Sequence, residues 1–187
     1  MDLFEVMTDV ADSLVEIDGS GVPFRHYQPG VGPYGEPQLL KMIASYLNRL
    51  ASYGGDVQTR RTPDLLNPTE WAIEFKITRP YGDNGQEAEN WSVNLLHPYP
   101  GNVSLIGDCM KLAELDGSER KAVAVIGYEH SPPRISLTPL VGSFELLAGN
   151  VANIRLSNRV ECRRDHLRHP VHQSLRLFGW ELTHQPT

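Results

Sequence analysis

The stretch Arg61-Thr62-Pro63-Asp64-Leu65-Leu66-Asn67-Pro68-Thr69-Glu70-Trp71-Ala72-Ile73-Glu74-Phe75-Lys76-Ile77-Thr78 carries the most informative pattern in the chain. Its second half alternates. Trp71, Ile73, Phe75 and Ile77 fall on one side, and Ala72, Glu74, Lys76 and Thr78 on the other, which is the period of an extended strand. Glu74 and Lys76 therefore project from one face while Phe75 points into the core. Asn67-Pro68 is a turn signal, able to fold the Asp64 segment back beside Glu74. Two neighbouring carboxylates repel when both are ionised, and a hard divalent cation relieves that repulsion. Mg²⁺ takes one or two carboxylates, retained waters and substrate phosphate oxygens. It lowers the pKa of its water and neutralises charge on a phosphate. An ammonium two residues along can orient that water or stabilise the transition state. Asp64, Glu74 and Lys76 thus form a minimal set for phosphodiester hydrolysis. The bland alternative is a surface hairpin with a Glu-Lys pair on its wet face.

Working outward, Leu3, Met7, Val10, Leu14 and Ile17 recur at helical spacing and predict an amphipathic helix over roughly 2–18. Its apolar stripe packs on the core or, alternatively, on a partner helix. Five glycines and three prolines between Gly19 and Gly35 predict a long loop, of a kind that can cover a site. A second helix is expected from about Pro37 to Tyr53, with Leu39, Leu40, Ile43, Leu47 and Leu50 buried and Gly54-Gly55 ending it. Asp56–Arg61 suits a short strand and Trp91–Leu96 another. Asn102 or Ser104 caps a helix running to about Leu115. Lys121–Tyr128 reads as a buried strand and Ser174–Leu182 as a further one, with Leu137–Leu147 helical or extended. This order suits an α/β (α+β) sheet domain.

At Pro63-Asp64 and Glu74-x-Lys76, with nine residues between the two acids, the chain resembles the PD-(D/E)xK, or restriction-endonuclease-like, nuclease superfamily. The resemblance covers about Glu36 to Glu129. It implies a central mixed β-sheet flanked by helices, in the order helix, three strands, helix, strand, with the signature acid on the second strand and E-x-K on the third. Only Asp56–Leu66 is free for the two strands ahead of E-x-K, so they are short or ordered differently. The division implied within 1–187 is an acidic helix and Gly/Pro-rich loop as an appendage (1–35), a catalytic core (36–130) and a C-terminal extension (131–187). The implied activity is Mg²⁺-dependent hydrolysis of DNA, with Mn²⁺ able to substitute. Asp64, Glu74, the Phe75 backbone carbonyl and Glu36 would serve as metal ligands. Glu36 sits where related nucleases often carry a further acid, although a helix-dipole role explains it equally well. Arg60, Arg61, Arg79, His97, Arg163 and Arg164 are the expected substrate contacts. Whether two chains pair as a homodimer stays open. The second function class is a catalytically silent nuclease fold kept as a binding or scaffold module, and a third is a regulatory sheet domain with no metal.

A net charge of −6 does not advertise a nucleic-acid binder, but the charge is uneven. From Arg155 to Arg176 six arginines face two acids, leaving that segment at +4 and the remainder at −10. Such asymmetry can hold a polyanion on one face; a solvated, salt-bridged surface is the bland reading. His166, His169 and His172 raise a zinc site, but Pro170 interrupts the helix that would align them. No apolar run approaches the ~20 residues of a spanning helix, and Met1–Ser20 holds six acids and no base, unlike a secretory leader. Two cysteines make no disulfide framework. A cytoplasmic protein with no membrane partner is the expectation.

Overall fold

A computed structural model describes residues 1–68, 70–99 and 103–183. Its elements are α1 (Leu3–Gly19), α2 (Glu36–Leu47), a 3₁₀ turn (Ala51–Tyr53), β1 (Gln58–Thr59), β2 (Leu65–Asn67), β3 (Trp71–Thr78), α3 (Val93–Leu96), α4 (Leu105–Glu114), β4 (Arg120–Glu129), α5 (Thr138–Asn150), β5 (Val160–Asp165) and β6 (Ser174–Glu181). The strands form one mixed, mostly antiparallel sheet in the order β1-β2-β3-β4-β6-β5. Only β3 and β4 run parallel, and they pair along all eight residues of β3. A parallel pair needs a crossover, and residues 79–119, containing α3 and α4, supply it.

Helices cover both faces. Trp71, Ile73, Phe75 and Ile77 of β3 join Ala124, Ile126 and Leu177 under α1 and α2. Val123, Val125, Phe178 and Trp180 pack on the other side against α4 and α5. The sheet is therefore the middle of three layers. Its central strands β4 and β6 are apolar on both faces, as sandwiching between helices requires.

The structure corrects several expectations. Residues 1–35 do not behave as an appendage: Met7, Val10, Ala11 and Leu14 of α1 are fully buried against the sheet. Residues 131–187 are likewise no extension, because β6 lies beside β4 in the centre of the sheet. Their apolar positions complete the core faces that β3 and β4 alone would leave wet. The second helix stops at Leu47. There the Asn48 side chain bonds both the amide and the carbonyl of Val57 (2.8 and 2.9 Å) and draws the chain out of the helix. Trp91–Leu96 is not a strand. Trp91 and Leu95 pack on the core while Val93 and Asn94 are exposed, an i, i+4 pattern that makes the short helix α3. The strand β5 had no clear signature, since four of its six residues are charged and only Cys162 is buried; charge of this kind suits a strand at a sheet edge. Asn102 lies outside the described residues, and Ser104 caps α4 through the Gly107 amide. Among the described residues no helix is long and apolar enough to cross a membrane.

Candidate active site

The site arises where β2 and β3 part. β2 pairs only with Trp71, Ala72 and Ile73, so from Glu74 onward β3 has no strand on that side. A buried backbone amide without a partner is costly, and acidic side chains take the place of the missing strand. The Phe75 amide donates to Asp64 Oδ2 at 2.8 Å, and the Ile77 amide lies near enough to the Glu36 carboxylate to favour its charge. In an extended strand the N–H and C=O of one residue point the same way, so the Phe75 carbonyl opens onto the same notch. Lys76 Nζ reaches it at 3.4 Å.

Within the notch the Asp64 and Glu74 carboxyls are in hydrogen-bonding contact. Glu74 is 3% exposed. Burial, then the charge and hydrogen bond of Asp64, raise its pKa far above the usual carboxylate range. The Glu74 carboxyl is thereby held toward its protonated form. Glu74 Oε1 is buried without a hydrogen-bond partner among the described residues. Glu36, at the first turn of α2, is also raised, chiefly by burial and opposed by Lys76. Burial disfavours the Lys76 ammonium, but Glu36, Asp108 and Asp64 outweigh it and raise its pKa.

Asp108 is the residue that the sequence reading missed. It lies on α4 with 3% exposure. Its Oδ2 is 2.6 Å from Lys76 Nζ and its Oδ1 is 2.8 Å from Lys111 Nζ, while Glu36 Oε1 is 3.8 Å from Lys76. Asp108 Oδ2 has no hydrogen-bond partner among the described residues, and its contact with Lys76 is an ion pair. A signal existed: Asp108 falls among Leu105, Ile106, Cys109 and Leu112 on the apolar face of its helix, where an unpaired carboxylate does not belong.

Asp64, Glu74, Lys76, Glu36 and the Phe75 carbonyl, named from the sequence, therefore come together. Arg60 and Arg61 line a cavity of about 510 Å³ beside Asp64 and Glu36. The other expected contacts do not join them. Arg163 and Arg164 stand on β5, three strands from β3, roughly 14 Å away at the usual strand spacing. Arg163 pairs with Asp165 and Arg164 with Asp12. His97 has no contact with the acids among the described residues; its carbonyl accepts from Ser104 and its ring meets Tyr99 edge-on. Arg79 donates to the carbonyls of Gly32 (2.6 Å) and Tyr34 (2.5 Å), tying the loop before α2 to the end of β3. The histidine triplet lies around the turn from β5 to β6 rather than on a helix. His169 uses Nε2 on Asp83 and accepts the Val171 and His172 amides at Nδ1, leaving no ring nitrogen for zinc.

Among the described residues no three His, Cys, Asp or Glu side chains form a metal-holding group. Mg²⁺ does not require three, because two carboxylates with waters and phosphate suffice. The crowding of Glu74 by Asp64, the unpartnered Glu74 Oε1 and the open Phe75 carbonyl fit such an ion. Comparison with protein-family models, with curated proteins and with solved structures found no match.

Proposed function

We propose that the chain is a metal-dependent nuclease of the PD-(D/E)xK type that hydrolyses phosphodiester bonds in DNA. One observation carries the reading: β2 ends where Glu74 begins, so Asp64 binds the Phe75 amide beside Glu74, with Lys76 two residues on. The order α2, β1, β2, β3, α4, β4 supports it, with two short strands before E-x-K as the resemblance requires.

In this reading Asp64, Glu74 and the Phe75 carbonyl hold Mg²⁺ or Mn²⁺, and Glu36 adds a further acid. The ion would activate water and offset charge on the phosphate. Loss of the Glu74 proton would prepare the site for the cation. Lys76 supplies the ammonium that faces the substrate phosphate. Asp108 orients Lys76, and Lys111 gives Asp108 a second counter-charge. Arg60 and Arg61 lie where DNA would approach Asp64.

The second reading, a silent nuclease fold that binds or scaffolds, draws on the burial of Glu74 and the pairing of Lys76 with Asp108. Incubation with supercoiled, linear and single-stranded DNA in Mg²⁺, Mn²⁺ and EDTA separates the two. Metal-dependent cleavage is expected. Absence of cleavage together with absence of Mn²⁺ or Mg²⁺ stabilisation would leave the scaffold.

A further inference from the structure

Past the catalytic notch, β3 delivers Arg79 to a separate pocket of about 340 Å³. Tyr27 comes to it from the loop before α2, and Tyr81, Asp83, Trp91 and Asn94 from the crossover. Tyr27, Tyr81 and Trp91 are each half-buried, so each offers part of a ring to the pocket. Tyr27 stacks on His26 with centroids 4.7 Å apart, Tyr81 meets His130 edge-on at 4.7 Å, and the Trp91 carbonyl accepts from Thr78 at 3.4 Å. The two tyrosines already have ring partners, since Tyr27 also stacks on Phe24 at 6.1 Å and the Arg134 guanidinium lies 5.9 Å over the Tyr81 ring, which leaves Trp91 as the open face.

Arg79 is the unusual member. Its Nε and Nη2 are spent on two loop carbonyls, and its guanidinium lies 5.6 Å over the Tyr128 ring. Among the described residues no carboxylate lies within ion-pairing distance of it, although burial disfavours its charge. A desolvated cation without a counter-ion is costly, and an anion bound at its remaining edge would offset that cost. The acid in the pocket does not serve: Asp83 Oδ1 is engaged by His169 Nε2 at 2.8 Å and by the Gln28 amide at 2.9 Å. Aromatic faces beside an uncompensated guanidinium match a nucleotide, whose base stacks and whose phosphate binds arginine.

We propose that this pocket is a nucleotide subsite, with the base on the Trp91 ring beside Tyr27 and Tyr81 and the phosphate on Arg79. Arg79 follows Lys76 by three residues, roughly 10 Å at the usual strand rise. The odd step turns it to the opposite face, so a substrate would pass from one to the other around the open edge of β3. The bound nucleotide is then one adjoining the cleaved bond, and that placement alone rests on the nuclease reading. Asn94, exposed beside Trp91, supplies a donor and an acceptor for the base edge. Gly32 allows the loop to close the pocket, since a Cβ there would collide with the His172 ring.

Tryptophan fluorescence reads the test directly, because Trp71 and Trp180 are buried and Trp91 alone meets the pocket. Wild-type protein in EDTA is titrated with dAMP, dTMP, deoxyadenosine, inorganic phosphate and a phosphorothioate tetranucleotide. Saturable quenching by dAMP, at least tenfold tighter than by deoxyadenosine, is expected. Arg79→Met should remove the advantage of the phosphate. Asn94→Ala, at an exposed position that does not support the fold, should weaken dAMP or dTMP several-fold. Trp91→Phe, followed by calorimetry, should retain binding, and Trp91→Ala should lose roughly tenfold. Equal affinity for dAMP and deoxyadenosine, or no binding of any probe by folded wild type, overturns the subsite. Tighter binding of the tetranucleotide than of dAMP supports the place beside the cleaved bond; equal or weaker binding overturns that placement. Cleavage in Mg²⁺ without nucleotide binding in EDTA refutes the pocket alone, whereas nucleotide binding without cleavage refutes the nuclease reading alone.

Discussion

The open side of β3 and the outer edge at β5 are both rich in charge, yet they are built on opposite principles. At β5 charges stand in solvent and cancel in pairs, Arg163 with Asp165 and Arg164 with Asp12, while the half-buried Arg176 of the neighbouring β6 pairs with Glu161. At β3, Glu36, Asp64, Glu74 and Asp108 crowd around Lys76 with little solvent to screen them. Surface pairs of the first kind contribute little and are screened by salt. Buried acids of the second kind stay unfavourable until a proton or a cation compensates them, which is the usual condition of a functional site. The contrast teaches that the basic segment, conspicuous in the composition, has four of its six arginines paired with acids. The acidic notch, split between distant parts of the chain, is not so balanced.

The largest effects belong to the notch. Lys76→Ala should lower DNA cleavage by on the order of 10²–10³, with the metal-induced rise in Tm retained. Asp64→Ala should lose both. Cleavage unchanged in Lys76→Ala would remove the distinction between the two edges. Next, Asp108→Asn should reduce turnover without raising the metal requirement, at a stability cost of roughly 1–3 kcal/mol for the lost charged contacts. In the Lys76→Met background the same change should have no further effect on turnover, because Asp108 acts through Lys76. Additive losses would give Asp108 a separate role.

A smaller effect concerns pH. The Glu74 pKa is raised in the folded chain, so the fold holds that proton more tightly than the unfolded chain does. Its contribution to stability is complete below the ordinary carboxylate pKa and is lost as pH rises toward the elevated value, at up to about 1.4 kcal/mol per pH unit. Metal-free protein should therefore become less stable across neutral to alkaline pH, relative to Glu74→Gln, and the Mg²⁺-induced rise in Tm should grow over the same range. A parallel pH dependence in the two proteins, read by thermal unfolding, would show that the fold does not raise the Glu74 pKa. The smallest effect is expected at the far edge. Arg163→Ala should change stability by about 1 kcal/mol or less and leave the salt dependence of DNA affinity unaltered. A flatter salt slope would restore a phosphate contact there.

Strong local periodicity made much of the fold legible. The strict alternation through Trp71–Thr78 and the 3–4 spacing of apolar residues in α1 are set by bonding geometry within a few residues. Glu74, Phe75 and Lys76 could be assigned to faces from that alternation alone, and the Asn67-Pro68 turn was enough to bring Asp64 back to Glu74. Weak or ambiguous local signals failed. The edge strand β5 is too charged to read as a strand, and Trp91–Leu96 is too short for its period to be decided.

What the amino-acid sequence determined by itself is therefore local: which residues alternate, where the chain turns, and that two carboxylates and an ammonium lie close along it. Tertiary structure decided the rest. It set β2 to end opposite Ile73, leaving the Phe75 and Ile77 amides to the side chains of Asp64 and Glu36. It carried Asp108 from a helix thirty-two residues away onto Lys76, and it paired the arginines of β5 and β6 with acids. The physical reason is range. Backbone periodicity acts over one or two turns of chain, whereas burial and charge compensation depend on which distant segments share a small volume of low dielectric, and only packing specifies that.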